Sequence, residues 1–204
     1  MGGVAEGASL FRLTEGALMD ARGLLRVMAY HNAWANVRLL SACERLSQAE
    51  FVAPRIGFFP SLRATLTHNL TVDWFYVDAM EGGSLGLAAF AQPVPCQTAP
   101  ALLAAQRAMD GRLIAVVERL DAADVVRVER GTRVQMERFD RLALHVFQHQ
   151  IHHRGQAHAM LSATSVAPPQ LDEFFCAGEE GLRASEFAAL GWSETDIWRE
   201  RVIG

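Results

Sequence analysis

Five of the chain's seven histidines fall in one short stretch, at His145, His149, His152, His153 and His158. A helix advances about 100° per residue, so residues four apart nearly eclipse. Two imidazoles at that spacing can reach one metal ion from a single helix, as in the HExxH motif of zinc proteases. Two such pairs compete here, His145 with His149 and His149 with His153. On a helical wheel, Leu142, Val146, Ala157 and Met160 cluster within about 60° of one direction and mark the core face. His149 and His153 fall about 20° to either side of the start of that stripe. His145 and His152 sit at its flank, and His158 points nearly the opposite way. The inward pair is therefore His149 and His153.

A third ligand has to come from a facing helix. His68 shares its stripe with Ala64, Val72, Phe75 and Ala79, a face of buried character. His31 lies near Leu24, Val27, Ala35 and Ala42 and also points roughly inward. His68 is the better candidate, with His31 lining the pocket beside it. Asp73 lies about 140° from His68 around their helix and is not expected to ligate. The competing reading is a purely structural histidine cluster, because a lone buried His is usually a hydrogen-bonded core residue. Three imidazoles in a core are costly unless each is satisfied.

Three neutral ligands with an open position are the arrangement of a catalytic rather than a structural metal. The ion would keep its full +2 charge and could acidify a bound water or thiol, or polarise a carbonyl. Gln156, on the ligand side of the helix, is expected to hold a ring nitrogen. Gln150, Ile151 and His152 separate His149 from His153, so the glutamate base of HExxH is absent and a peptidase mechanism is disfavoured. No serine nucleophile motif and no phosphate-binding glycine loop appears.

The elements that must position these residues are helices. Periodic patterns run from about Thr14 to Leu46, from Ser61 to Met80, from Pro100 to about Leu120, and from near Asp140 to about Ala163. Gly16 and Gly23 interrupt the early part of the first. Pro54, Gly57 and Pro60 mark the stretch 50–60 as a connecting loop, and Gly86, Pro93 and Pro95 mark a long irregular connection over 84–99. Val125, Val126 and Val128 before Gly131-Thr132, with Val134, Met136 and Phe139 after, predict a short β-hairpin. The expected fold is all-α: a four-helix bundle with this hairpin before the fourth helix. Residues 1–176 form the bundle in this reading. Residues 177–204, with Trp192 and Trp198, form a short helical extension packed on it. Leu144, Phe147 and Ile151 lie opposite the core face of the fourth helix, so the tail or a second subunit is expected to cover them.

Composition narrows the function classes. The 204 residues carry a net charge of −4, half are hydrophobic, and no stretch is strongly basic, so nucleic acid is not an expected partner. Lysine is absent, which excludes Schiff-base chemistry on a lysine amine. Cys43, Cys96 and Cys176 form no CxxC pair. Neither a signal peptide nor a membrane span is apparent, and a cytoplasmic location is expected.

The same residues carry a resemblance. His149-Gln-Ile-His152-His153-Arg-Gly-Gln156 resembles the NHxxHHRGQ signature of the DinB-like (damage-inducible) family. His31-Asn-Ala-Trp34-Ala-Asn36 is similar to its YNxWAN pattern. Thr67-His68-Asn69-Leu70 with Asp73-Trp74 is similar to its second-helix histidine motif, and 171–175 to the apolar segment after the fourth helix. The resemblance implies a four-helix bundle holding a divalent ion, usually nickel or zinc, through His68, His149 and His153, and often a homodimer. It also implies either a metal-dependent enzyme of hydrolase or thiol-transferase type, acting on an unknown small molecule such as a thiol, or a non-catalytic metal-binding stress-response protein. His31 stands where the family commonly has Tyr, and Gln148 where it has Asn.

Overall fold

A computed structural model describes residues 19–91, 96–172, 175–176 and 178–199. Over these residues the chain is mostly helical with one small antiparallel sheet. In order, the elements are α1 (Ala21–Glu44), α2 (Gln48–Val52), α3 (Leu62–Met80), α4 (Ala88–Ala91), α5 (Ala99–Arg119), β1 (Val125–Glu129), β2 (Val134–Arg138), α6 (Phe139–Leu161), α7 (Glu180–Leu190) and α8 (Glu194–Trp198).

Local chemistry sets the ends of the long helices. Asp20 caps α1 by accepting from the Gly23 amide, so the helix begins well after the expected Thr14; positions 14–18 lie outside the described residues. Ser61 and Thr98 cap α3 and α5 in the same way, accepting from Ala64 and Ala101. The 50–60 loop is shorter than its prolines suggest. Ser47 and Glu50 form a reciprocal capping box, and residues 48–52 close into one helical turn. In the 84–99 connection, Pro93 and Pro95 lie outside the described residues, and residues 88–91 form a further short helix.

The hairpin forms as its alternation predicts. Val126 and Val128 are buried while Val125, Val134 and Met136 are exposed, in the register Val126↔Glu137 and Val128↔Gln135. Gly131, at φ +72°, supplies the left-handed turn residue between the strands. The hairpin also starts α6, whose cap residue Arg138 makes no side-chain cap. The Phe139 and Asp140 amides donate instead to the Asp124 and Ala122 carbonyls, at 2.8 and 3.1 Å.

The four long helices pack in a closed ring, α1 on α5, α5 on α3, α3 on α6 and α6 on α1. Phe75, Leu113, Val117, Phe139 and Val146 fill the space between them. Phe147 belongs to this core as well, at 1% exposure, and departs from the expected outward face. Leu144 and Ile151 on the same side of α6 are about half exposed. α7 and α8 pack on α1, where Phe187 and Ile197 bury Tyr30 and Trp34. The fully buried Arg183 ties the two short helices together through Glu194 at 2.7 Å. No helix among the described residues is long and apolar enough to cross a membrane.

Candidate metal centre

α3 and α6 lie side by side, and each turns one stripe of imidazole toward the other. His68 comes from α3; His149 and His153 come from successive turns of α6. Their ring centroids are 4.9 Å apart for His68–His149, 4.7 Å for His68–His153 and 4.5 Å for His149–His153. One ring nitrogen from each lies within 4.8 Å of the other two, and the set could hold a metal ion. The Nε2 atoms of His68 and His149 are 3.0 Å apart. Tetrahedral ligands on a zinc-like ion are separated by about 3.3 Å, so this pair already stands near a coordinating distance.

The donors are of the right kind. Burial, followed by the proximity of His153, pushes the His68 imidazole down to about 4. Burial and the neighbouring imidazoles push His149 to about 3, and burial lowers His153. All three rings are therefore neutral at pH 7, with lone pairs free to coordinate. Two such lone pairs facing each other at 3.0 Å repel unless a proton or a cation lies between them, and a divalent ion satisfies both at once. The residues fit a metal.

Gln156 sits where the helical spacing puts it. Its Oε1 accepts from His153 Nδ1 at 2.7 Å, which leaves the Nε2 lone pair of His153 free to coordinate. Its amide nitrogen donates to His152 Nε2 at 3.1 Å, linking the buried ring to an exposed one. His149 Nδ1 is buried and makes no hydrogen bond.

The remaining histidines stand apart from this group. His31 packs edge-on against Phe175 at 4.9 Å and beside Trp34 at 5.6 Å, under the C-terminal segment rather than beside the triad. Burial lowers it to about 4. His145 packs against Tyr76, 6.4 Å from His149, and lines a separate cleft of about 210 Å³ with Arg130 and Glu137. His158 donates to the Pro169 carbonyl at 2.9 Å. Asp73 does not belong to the imidazole cluster.

Asp73 has another place, in a buried polar network that the sequence reading missed. Gln106 donates to Asp73 at 2.8 Å and to Asp110 at 3.1 Å, and Gln150 donates to Asp73 from α6. Asn36 donates to Asp110 at 3.0 Å, while Arg154 donates to the side-chain oxygens of Asn32 and Asn36 at 2.5 and 2.9 Å. The network joins α1, α3, α5 and α6. Burial raises Asp73 to about 6 and Asp110 to about 7, the latter helped by Asp73, and burial lowers Arg154 to about 10. A signal for it was present. Asn32, Asn36, Asp73 and Arg154 are polar members of the recognised motifs that the ligand assignment left unused.

A mostly helical protein with three histidines gathered from two neighbouring helices is thus the class that fold and site define. The family model described as DinB family matches residues 19–181, most of the chain, and the protein belongs to the DinB family. No curated protein matches it.

Proposed function

We propose that the protein binds a divalent metal ion through His68, His149 and His153 and uses it as an enzyme of hydrolase or thiol-transferase type. The observation that carries this reading is the convergence of three neutral ring nitrogens within 4.8 Å, from two helices, with no carboxylate in the group. Nickel or zinc suits the imidazole set. A bound ion would act as a Lewis acid, with the power to acidify a water or thiol or to polarise a carbonyl.

The chain's own residues supply the rest. Gln156 fixes the tautomer and orientation of His153. His152, exposed and accepting from the Gln156 amide, steadies Gln156 from the solvent side. The buried network holds α6 in register on α3, so the two ligand-bearing helices meet without rearrangement. In this reading the four long helices are a four-helix bundle, with α7 and α8 as an extension packed on it. The substrate is a small molecule, a thiol being the leading class, and the chain works as a homodimer through the half-exposed Leu144 and Ile151. Cys43, Cys96 and Cys176 are unpaired, which supports a reducing, cytoplasmic setting.

One observation favours the non-catalytic alternative: the hydrogen-bond partner of the inner ligand His153 is a neutral amide, not an acid or base. Metal analysis and turnover separate the readings. His68→Ala, His149→Ala and His153→Ala should each abolish stoichiometric metal in the purified protein, while His152→Ala and His158→Ala retain it. Full metal content after loss of His68 would remove the proposed triad. Esterase or thiol-adduct turnover, present in the loaded protein and lost in His153→Ala, would establish the enzyme. Loaded protein without turnover on either substrate class would leave the binding protein as the surviving reading.

A further inference from the structure

The loop between α2 and α3 carries an apolar edge in an unexpected place. Its ends are pinned. The Arg55 amide donates to the Pro60 carbonyl at 2.8 Å, and the Arg55 guanidinium reaches the Glu50 and Ala163 carbonyls at 3.1 and 3.3 Å. Its middle is pressed against α6, because a Cβ added at Gly57 would come within 2.2 Å of the Met160 methyl carbon. Held this way, the loop projects Ile56, fully exposed, and Phe58, 78% exposed. Large apolar side chains on a fixed backbone beside a candidate site mark a contact surface.

The edge is continuous with the triad. Phe58 packs edge-on against Phe59 with centroids 4.9 Å apart. Phe59 lies over His68 at 4.3 Å and beside His153 at 5.5 Å, and Phe58 is itself 6.3 Å from His153. Phenyl surface therefore runs from the imidazoles out to the loop tip. A purely polar ligand gains nothing from these side chains, whereas a ligand whose head reaches the imidazoles can lay an apolar body on Phe58 and, if its chain follows the loop, on Ile56 two residues away.

We propose that Ile56 and Phe58 form a tail-binding edge that selects ligands joining a metal-coordinating head group to an apolar chain or ring. The inference rests on His68, His149 and His153 holding a divalent ion, and it narrows the substrate class of that site to apolar-bodied molecules.

The test uses the full-length protein loaded with cobalt(II), titrated with straight-chain hydroxamic acids from acetohydroxamic to octanohydroxamic acid and followed by the visible absorption of the ion. Each added methylene should tighten binding about two- to fourfold, the upper figure being that for complete burial of a methylene. In Ile56→Ser/Phe58→Ser the gain should fall below about 1.5-fold per methylene, with cobalt content measured in parallel. The single Phe58→Ser protein, which alters one exposed ring, gives the same comparison if the double variant loses helicity. Equal chain-length dependence with and without these side chains overturns the proposal, as does a loaded wild-type protein indifferent to chain length. A wild-type dimer that the substitutions convert to monomer in sedimentation would assign the edge to subunit contact and overturn it too. Failure to take up cobalt at all is a different result: it removes the metal-centre reading, and this inference with it.

Discussion

Arg154→Met would test whether the buried network is held together by charge. Arg154 donates to Asn32 and Asn36, and it is the only cation among the described residues whose charge lowers both Asp73 and Asp110. Methionine is close to it in length, so packing changes little and the electrostatic loss dominates. Hydrogen bonds to a charged group contribute about 1.5–3 kcal/mol each, and breaking a buried ionic set by removing one partner costs about 3–5 kcal/mol. A loss of about 3–5 kcal/mol at pH 8 follows.

The pH dependence follows from the raised carboxyls. Asp73 and Asp110 stand at about 6 and about 7 in the folded chain, above their ordinary value of 3.8. The folded state therefore binds more protons than the unfolded state between these limits. Stability is fully present below the unfolded value and is lost as pH rises through 6 and 7. Arg154 lowers both carboxyls, so its removal raises them further and steepens that loss. At pH 5 both acids are protonated in the native chain and Arg154 has only its amide partners. The destabilisation should then be about 1–2 kcal/mol smaller than at pH 8. The lowered His68, His149 and His153 weaken the fold below about pH 6.5 in both proteins and cancel in the difference. Arg154 also lowers His31, so its removal eases that acid penalty and makes the pH 5 cost smaller still. Urea unfolding of the metal-free proteins by far-UV circular dichroism, at pH 5 and pH 8, reads the quantity directly. A difference under about 1 kcal/mol at pH 8, or an identical one at both pH values, would refute a charge-held network.

Two further outcomes concern α6. Gln156→Ala frees the His153 ring and should weaken metal affinity about tenfold in calorimetric titration with the fold intact, and unchanged affinity would deny the amide its orienting role. Phe147→Ala empties a site of 1% exposure and should cost about 3–5 kcal/mol in urea unfolding. A cost below about 1 kcal/mol would return Phe147 to the outer face that helical periodicity gave it.

The sequence disclosed the triad because its signal is local and periodic. His149 and His153 share a helix face at a spacing that geometry alone identifies, and His68 lies on a plainly apolar stripe. Helix bounds followed capping residues within a few positions, except at the start of α1, where Asp20 rather than the preceding apolar run sets the end. Phe147 was misplaced because a wheel assumes one buried stripe. Here α6 is flanked by both α1 and α3, and its buried arc widens to take in Phe147, Gln150 and Arg154. The network stayed hidden for a related reason. Asp73, Gln106 and Asp110 are polar residues on faces that only tertiary pairing shows to be interior. The position of His31 depended on Phe175, a residue over a hundred positions away.

The double use of α6 has a consequence for how such a chain can change. His149 and His153 form one pair four apart, and Gln150 and Arg154 form a second pair displaced by a single residue, one facing the triad and the other the buried network. Any insertion, deletion or rotation in α6 would disturb both sets at once, so drift along this helix is blocked from two directions. The loop bearing Ile56 and Phe58 has no such double duty at its tip. Diversification in descendants of this chain should therefore concentrate at those exposed loop positions while the helix behind them stays nearly constant.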